Sequence, residues 1–418
     1  KGVGIYLDID TLGTGDSSFR DIIIDGNVWD SFMYLGTSGT TPEPCTISIQ
    51  RGSPTGYGGA KGYHDWYRIS VTNNIYRGSN NEGFLSWTDT GEAPNEAKYI
   101  RICDNAPSAD KFGIRLRANT PQGTGTASSS IWDHINISSN IFHITTNAFD
   151  QYGIIIEGVN YDLTNLQIHN NQIDNVLNAN TKLGRAVDID MGLGPTAGTG
   201  LASCNNISIQ GNDFAGSSKN LAGEESSVRL HSPYAVLSDV IYSGNIFRGQ
   251  IAFHLLAGTN EEQVLRNITY SNNTSKGKHA FLMTVSLGTD PMTIENLVVT
   301  GNNHTYLNDG GTQISNEHFA YGVRIYDSIV TNLLNAVITN NEYKNSVPDP
   351  LVPLGGVGLS GFTNIQNVNI SNNAITGSTA PTAFVSYLGV GRTVSVCGNN
   401  TYNGQILDSG SGGFPRNS

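Results

Sequence analysis

The stretch Asn206-Ile-Ser-Ile-Gln-Gly-Asn212-Asp-Phe214 decides the fold, because near-copies of it recur along the whole chain. Aligned on the second Asn, the copies centre on Asn27, Asn74, Asn105, Asn140, Asn171, Asn212, Asn245, Asn273, Asn302, Asn341, Asn373 and Asn399. The pitch is irregular, from 47 residues between Asn27 and Asn74 to 26 between Asn373 and Asn399, as expected of one unit carrying insertions of different length. In each copy two apolar residues alternate with polar ones before the Asn, as Ile207 and Ile209 do, which is the period of a strand with one buried face. Gly, Asn or Ser usually precedes the Asn, which suits a tight bend. Identical carboxamides stacked rung on rung can pass hydrogen bonds along an axis.

Between these copies runs a second repeat: a small residue, then apolar, variable, apolar, variable. Gly113-Ile-Arg-Leu-Arg117, Gly153-Ile-Ile-Ile-Glu157, Ala186-Val-Asp-Ile-Asp190 and Ser227-Val-Arg-Leu-His231 show it, and Gly322-Val-Arg-Ile-Tyr326 continues it. Two or three short strands per turn without helical periodicity predict a parallel β-helix. Twelve rungs at about 4.8 Å each make a rod about 58 Å long. An unbroken repeat predicts one solenoid domain over 1–418, with a last rung near 392–410. Long insertions are expected at 36–67, which carries Tyr57, Tyr63, His64, Trp66 and Tyr67, and at 118–132, 191–203, 257–264, 305–320 and 345–355. Loops on one flank of a solenoid commonly wall its groove.

Charge narrows the function. The net charge is −12, which argues against nucleic acid and anionic membrane surfaces as partners. No apolar run reaches the length of a membrane span, and no signal-peptide pattern opens the chain; beginning on strand-like Val3 to Ile9, it is expected to have lost a preceding segment. Cys103 and Cys397 occupy equivalent positions nine rungs apart, roughly 43 Å, so they cannot pair; Cys204 lies about three rungs from Cys103, and only Cys45, in the long 36–67 insertion, has reach to another thiol. Mostly free thiols point to assembly in a reducing compartment.

The chemistry emerges when the variable positions of the second repeat are laid side by side, since the apolar residues between them point inward. One column reads Trp87, Arg117, Glu157, Asp190, His231, Leu256, Thr284, Tyr326, Ser360, Tyr387; the other reads Leu85, Arg115, Ile155, Asp188, Arg229, His254, Leu282, Arg324, Gly358, Val385. In a chain with only 14 % charged residues, three carboxylates, four arginines and two histidines fall on one strip with aromatics towards its ends. Stability alone does not call for acids on adjacent rungs. An extended groove of this composition suits a carbohydrate polymer, because aromatic faces stack on sugar rings and arginines bind acidic sugars. Glu157, Asp188 and Asp190 are the candidate catalytic residues, with Glu157 as general acid and either aspartate as base or nucleophile. Trp87, Arg115, Arg117, Arg229, His231, His254, Arg324 and Tyr326 are the candidate substrate-binding residues.

These features resemble the right-handed parallel β-helix carbohydrate-active proteins over nearly all of the chain. Within them the Ser/Thr/Asn/Gly-rich rungs, unpaired cysteines and acids on neighbouring rungs look most like the tailspike depolymerases of bacteriophages. That resemblance implies a single-stranded right-handed β-helix, hydrolysis of a bacterial surface polysaccharide (capsule or O-antigen), an extracellular site of action on the virion tail, a homotrimer and no cofactor. An apolar line of Ile23, Ile241, Val298 and Val337 on outward positions fits the trimer. Asp188-Ile-Asp190 with Glu157 and Arg229 is also similar to the calcium and arginine arrangement of pectate lyases, which implies a calcium-dependent polysaccharide lyase as the first rival. A non-catalytic glycan-binding adhesin is the second. The Asn-Thr-Asp, Asp-Asp, Gly-His-Gly and Arg-Ile-Lys runs of polygalacturonases are not found in the sequence.

Overall fold

The computed structural model describes residues 4–9, 17–30, 45–51, 64–77, 83–89, 95–109, 112–119, 130–144, 151–159, 161–175, 184–191, 202–215, 226–232, 235–248, 251–257, 263–277, 279–285, 292–306, 320–345, 354–377, 383–389, 392–395, 400–402 and 405–406. Among them every element is a strand, and the strands wind as a right-handed parallel β-helix. One rung shows the plan: strand Ala202–Gln210, a bend at Gly211 and Asn212, strand Asp213–Ala215, then strand Ser226–Ser232. Each pairs in parallel with its counterpart one rung before and one rung after. The short strands make one sheet of 13. The two longer kinds are joined into a sheet of 23, because Ala320–Leu334 and Leu354–Ser371 run through the corner without a break.

Two residues per rung turn the chain by adopting left-handed backbone. The residue before the key Asn does so in eleven rungs, as Gly211 (φ 64°) and Asn170 (φ 53°) show, and this is the tight bend expected from the sequence. The residue six before the key Asn does so too: Asp21, Arg68, Tyr99, His134, Asn165, Asn206, Asp239, Asn267, Asn296, Asn335 and Asn367. On nine of these rungs the second kink sits inside a nine-residue strand, and it drops out of the pairing register, so Thr164 pairs with Asn205 and Leu166 with Ile207. Side-chain alternation restarts after it, which is why only two apolar residues precede each Asn.

The key asparagines form one buried axial row. Asn212 receives Nδ2 of Asn171 on its Oδ1 at 3.0 Å, while its own Nδ2 donates to Asn245 Oδ1 and to the Ile168 carbonyl, both at 2.9 Å. The pattern runs from Asn27 to the last rung. There it corrects the sequence alignment by one residue: Asn373 Nδ2 donates to Asn400 Oδ1, and Asn400, not Asn399, is the buried member. Inside the coil, alternate residues such as Ile207, Ile209, Val228 and Leu230 are fully buried, each side chain contributing about 1.5–3 kcal/mol relative to exposure.

Two further expectations change. The 36–67 insertion is not one loop: it contains the full strand Cys45–Arg51, in register with Gly83–Asp89, and ends in strand His64–Thr72, where Trp66 is core. Tyr57 and Tyr63 lie outside the described residues. Cys45 therefore sits in a strand and is buried, and the buried Cys103 and Cys204 are free; Cys397 lies outside the described residues.

Candidate functional site

The strip forms on the third strand of each rung. A corner of small residues starts it: at Gly113 an added Cβ would lie 2.6 Å from the Gly153 carbonyl oxygen, so the backbones approach too closely there for a larger side chain. The corner residue steps out of the pairing, Tyr152 matching Arg185 and Ile154 matching Val187. Ala186 and Val187 are both buried, two inward residues in succession. Arg185 and Asp188, three apart, consequently share the outer side.

The two columns are in register as the sequence suggested, the first over four rungs and the second over five. Arg117, Glu157, Asp190 and His231 form one; Arg115, Ile155, Asp188, Arg229 and His254 form the other. Arg115 approaches Glu157 Oε1 with Nη2 at 2.5 Å and Nε at 2.7 Å, and Arg117 Nε donates to the same oxygen at 2.9 Å. One rung on, Asp188 is 1 % exposed and doubly held. Arg229 spans it with Nε to Oδ1 at 2.6 Å and Nη2 to Oδ2 at 3.0 Å, and Arg185 Nη1 donates to Oδ2 at 3.1 Å. Arg229 Nη2 also reaches Asp190 Oδ2 at 3.1 Å. Burial works against the Arg229 charge, but Asp188 and Asp190 hold its pKa above the ordinary arginine value.

His231 closes the network. Its Nδ1 lies 3.1 Å from Asp190 Oδ1, though off the line of a good hydrogen bond. Behind the strip, the buried Tyr161 donates its hydroxyl to the Asp190 carbonyl at 3.1 Å, and burial pushes that hydroxyl's pKa well up. The side chains of Glu157, Asp190 and His231 keep 23 %, 22 % and 21 % exposure, so a ligand can reach them; Asp188 it cannot reach.

Two substrate-binding expectations are overturned. Trp87 is fully buried, packed between Trp66 and Trp132 at 5.1 and 5.5 Å; its strand pairs Leu85 with Ile114 and Ser86 with Arg115, so Ser86 and Thr88 occupy the outer columns. Reading that strand one residue out of register exchanges its two faces. Tyr387 is displaced likewise, pairing with the core residue Leu359 while Leu388 matches Ser360. His254 is in the column expected, but its ring is 4 % exposed and Nε2 contacts Thr284 Oγ1 at 2.8 Å. Burial first, then the charges of Arg229, Arg185 and His231, push its pKa down to about 3, so it stands as a neutral structural imidazole.

Arg324 lies partly exposed two rungs beyond His254, separated from it by buried Leu282 and so remote from the acid cluster. The backbone of Tyr326 pairs with Thr284, and its side chain lies outside the described residues. Sequence reasoning missed Arg185 and Tyr161. Arg185 would have been found by letting the small corner residue reset the alternation; Tyr161, an inward residue of a neighbouring strand, carries no such signal.

The carboxylates do not offer a cation site. Arginine faces each of Glu157, Asp188 and Asp190, and no group of three His, Cys, Asp or Glu side chains suited to a metal occurs among the described residues. The calcium arrangement of pectate lyases therefore does not fit these side chains. No helix among the described residues is long and apolar enough to cross a membrane. No protein-family model, curated protein or solved structure matches the chain.

Proposed function

We propose that the strip binds and cleaves a bacterial surface polysaccharide by glycoside hydrolysis, as a depolymerase of the bacteriophage tailspike type acting outside the cell. One observation carries this reading: Glu157 and Asp190 are register partners on adjacent strands, and both carboxyl groups are open to a ligand. Glycoside hydrolysis uses two carboxyl groups about 5 to 9.5 Å apart flanking the scissile bond, and backbones one rung apart, about 4.8 Å, bring two such side chains within that range. In this mechanism Glu157 protonates the leaving oxygen, and Asp190, fixed by Arg229, acts as base or nucleophile. Asp188 is a positioning residue, holding Arg229 from beneath. Arg115, Arg117 and His231 meet the sugar.

A second reading, elimination on a uronate polymer, is favoured by the imidazole of His231 set against Asp190 at 3.1 Å among guanidinium groups. There His231 would take the proton beside the uronate carboxylate, with arginine in place of calcium as the neutralising charge. Incubation with a panel of bacterial capsules separates the readings. We expect reducing ends to appear without absorbance in the unsaturated-uronate band. Absorbance rising with them replaces hydrolysis by elimination; retention of polymer without either signal leaves a binding protein.

The assembly proposed with this function is a homotrimer. Ile241 and Val337 are 41 % and 37 % exposed, with Thr269 and the partly exposed Val298 on the rungs between them, a β-branched column on the outer face of four consecutive rungs.

A further inference from the structure

The eleven rungs differ from one another at the kink six residues before the key Asn. Eight of the eleven residues found there are Asn or Asp, the side chains that tolerate left-handed backbone. The exceptions fall on three consecutive rungs: Arg68 (φ 56°), Tyr99 (φ 60°) and His134 (φ 55°). Histidine is also at home in this region, but a bulky tyrosine is not, and backbone strain of this kind persists where the side chain serves a purpose. All three are exposed, with Tyr99 at 46 % and the side chains of Arg68 and His134 at 54 % and 48 %.

Their side chains gather with Tyr67 into one surface. The Tyr99 ring stacks on His134 at 4.8 Å and meets Tyr67 edge to face at 5.0 Å, while the Arg68 guanidinium lies 4.6 Å over Tyr67. His134 Nδ1 is turned to Asp133 at 2.8 Å, and Arg68 is paired with Asp21. The result is an aromatic rim edged by hydroxyl, guanidinium and carboxylate groups. That combination matches a pyranose, which presents C–H bonds to a ring and hydroxyls to the polar groups around it. Tyr99 stands on the same rung as Arg115 and Arg117, and His134 on that of Glu157, on the first strand of the rung where the strip occupies the third, so the two clusters lie at the same axial level at the N-terminal end of the strip.

We propose that Tyr67, Tyr99 and His134, edged by Arg68, form a second saccharide-binding subsite outside the acid–arginine strip. It takes pyranose residues of the same polymer and rests on the reading of the strip as a polysaccharide site. Asn is the residue that suits this backbone best, so Tyr99→Asn removes the aromatic ring without straining the rung.

The intact chain is run in native gels containing polygalacturonate, alginate, hyaluronan or dextran, as wild type, Tyr99→Asn, Arg68→Asn and Glu157→Gln, with thermal midpoints measured in parallel. At least one polymer is expected to retard the wild type. Tyr99→Asn should bind it about tenfold more weakly, the scale of one lost aromatic contact, with an unchanged or higher midpoint. Glu157→Gln should be retarded like the wild type. A Tyr99→Asn protein with normal retardation and a lowered midpoint overturns the subsite and makes the rings a structural stack. Normal retardation with altered sedimentation overturns it in favour of protein association. Retardation lost in Tyr99→Asn while Glu157→Gln still cleaves at the wild-type rate keeps the subsite and removes the proposed catalytic strip. No retardation by any of the four polymers overturns the subsite.

Discussion

Asp188 and Arg229 meet across adjacent strands in a two-point pair, Nε to Oδ1 at 2.6 Å and Nη2 to Oδ2 at 3.0 Å, with the aspartate beneath and the guanidinium above. Removing one member of such a buried pair strands the other's charge, which costs about 3–5 kcal/mol. Here Asp188→Ala strands Arg185 as well. We expect a loss of that size in chemical denaturation, and a smaller loss for Arg229→Ala, because Arg185 still neutralises Asp188.

Glu157→Gln keeps the shape of the side chain and a hydrogen-bond acceptor for Arg115 and Arg117. It should bind polymer as the wild type does while turnover falls about 10² to 10⁴-fold. Cleavage by this variant at near wild-type rate would exclude Glu157 as the acid.

In the axial row, Asn212→Ala takes away the oxygen that accepts both the main-chain N–H and Nδ2 of Asn171, at 2.8 and 3.0 Å, in a buried setting. Each unsatisfied donor costs about 1–3 kcal/mol. The same substitution at Asn206, exposed at the mid-strand kink, should cost markedly less, and thermal melts of the two variants side by side measure the difference.

Acid should weaken the fold through its buried imidazoles. Burial pushes His304 down to about 3, and burial with neighbouring arginines does the same to His254. Both folded values lie below the ordinary value near 6.5, so the unfolded chain binds more protons between those limits. Stability is therefore full above about pH 6.5 and falls as pH drops towards 3, by up to about 1.4 kcal/mol per pH unit for each histidine. Melting curves from pH 7 to 4 should show the decline, and His304→Gln should make it shallower; equal slopes would remove His304 from this account.

The trimer is checked by charge. Val337→Lys on the exposed β-branched column should leave the rung folded and yield monomer in light scattering at micromolar concentration, where the wild type is expected to give three times the mass. A wild-type chain that scatters as a monomer would remove the trimer and much of the support for a tailspike.

What could be read from residues alone follows from periodicity. The Asn row, the bends before it and the central columns from Arg115 to Arg229 all repeat at fixed offsets, so one rung's reading carries to the next. Failures came where the repeat is interrupted. In Gly83-Phe-Leu-Ser-Trp87 both Phe84 and Leu85 point inward, so counting from the glycine placed Trp87 on the wrong face. Arg185 was missed for the same reason at Ala186. The strand Cys45–Arg51 vanished into an apparent loop because its corner position holds Thr46 in place of the Gly, Ala or Ser by which the repeat was read. Burial of Asp188 and His254 depends on their neighbours in space, which a column of letters does not contain.

The parallel stacking has a mechanical side. Strands lie across the rod, so their hydrogen bonds point along it. A pull along the axis loads every bond of one rung interface at the same moment, amide row included, rather than opening them one after another like a zip. A push along the axis closes the same interfaces against a dry core. Such a rod transmits thrust without buckling locally.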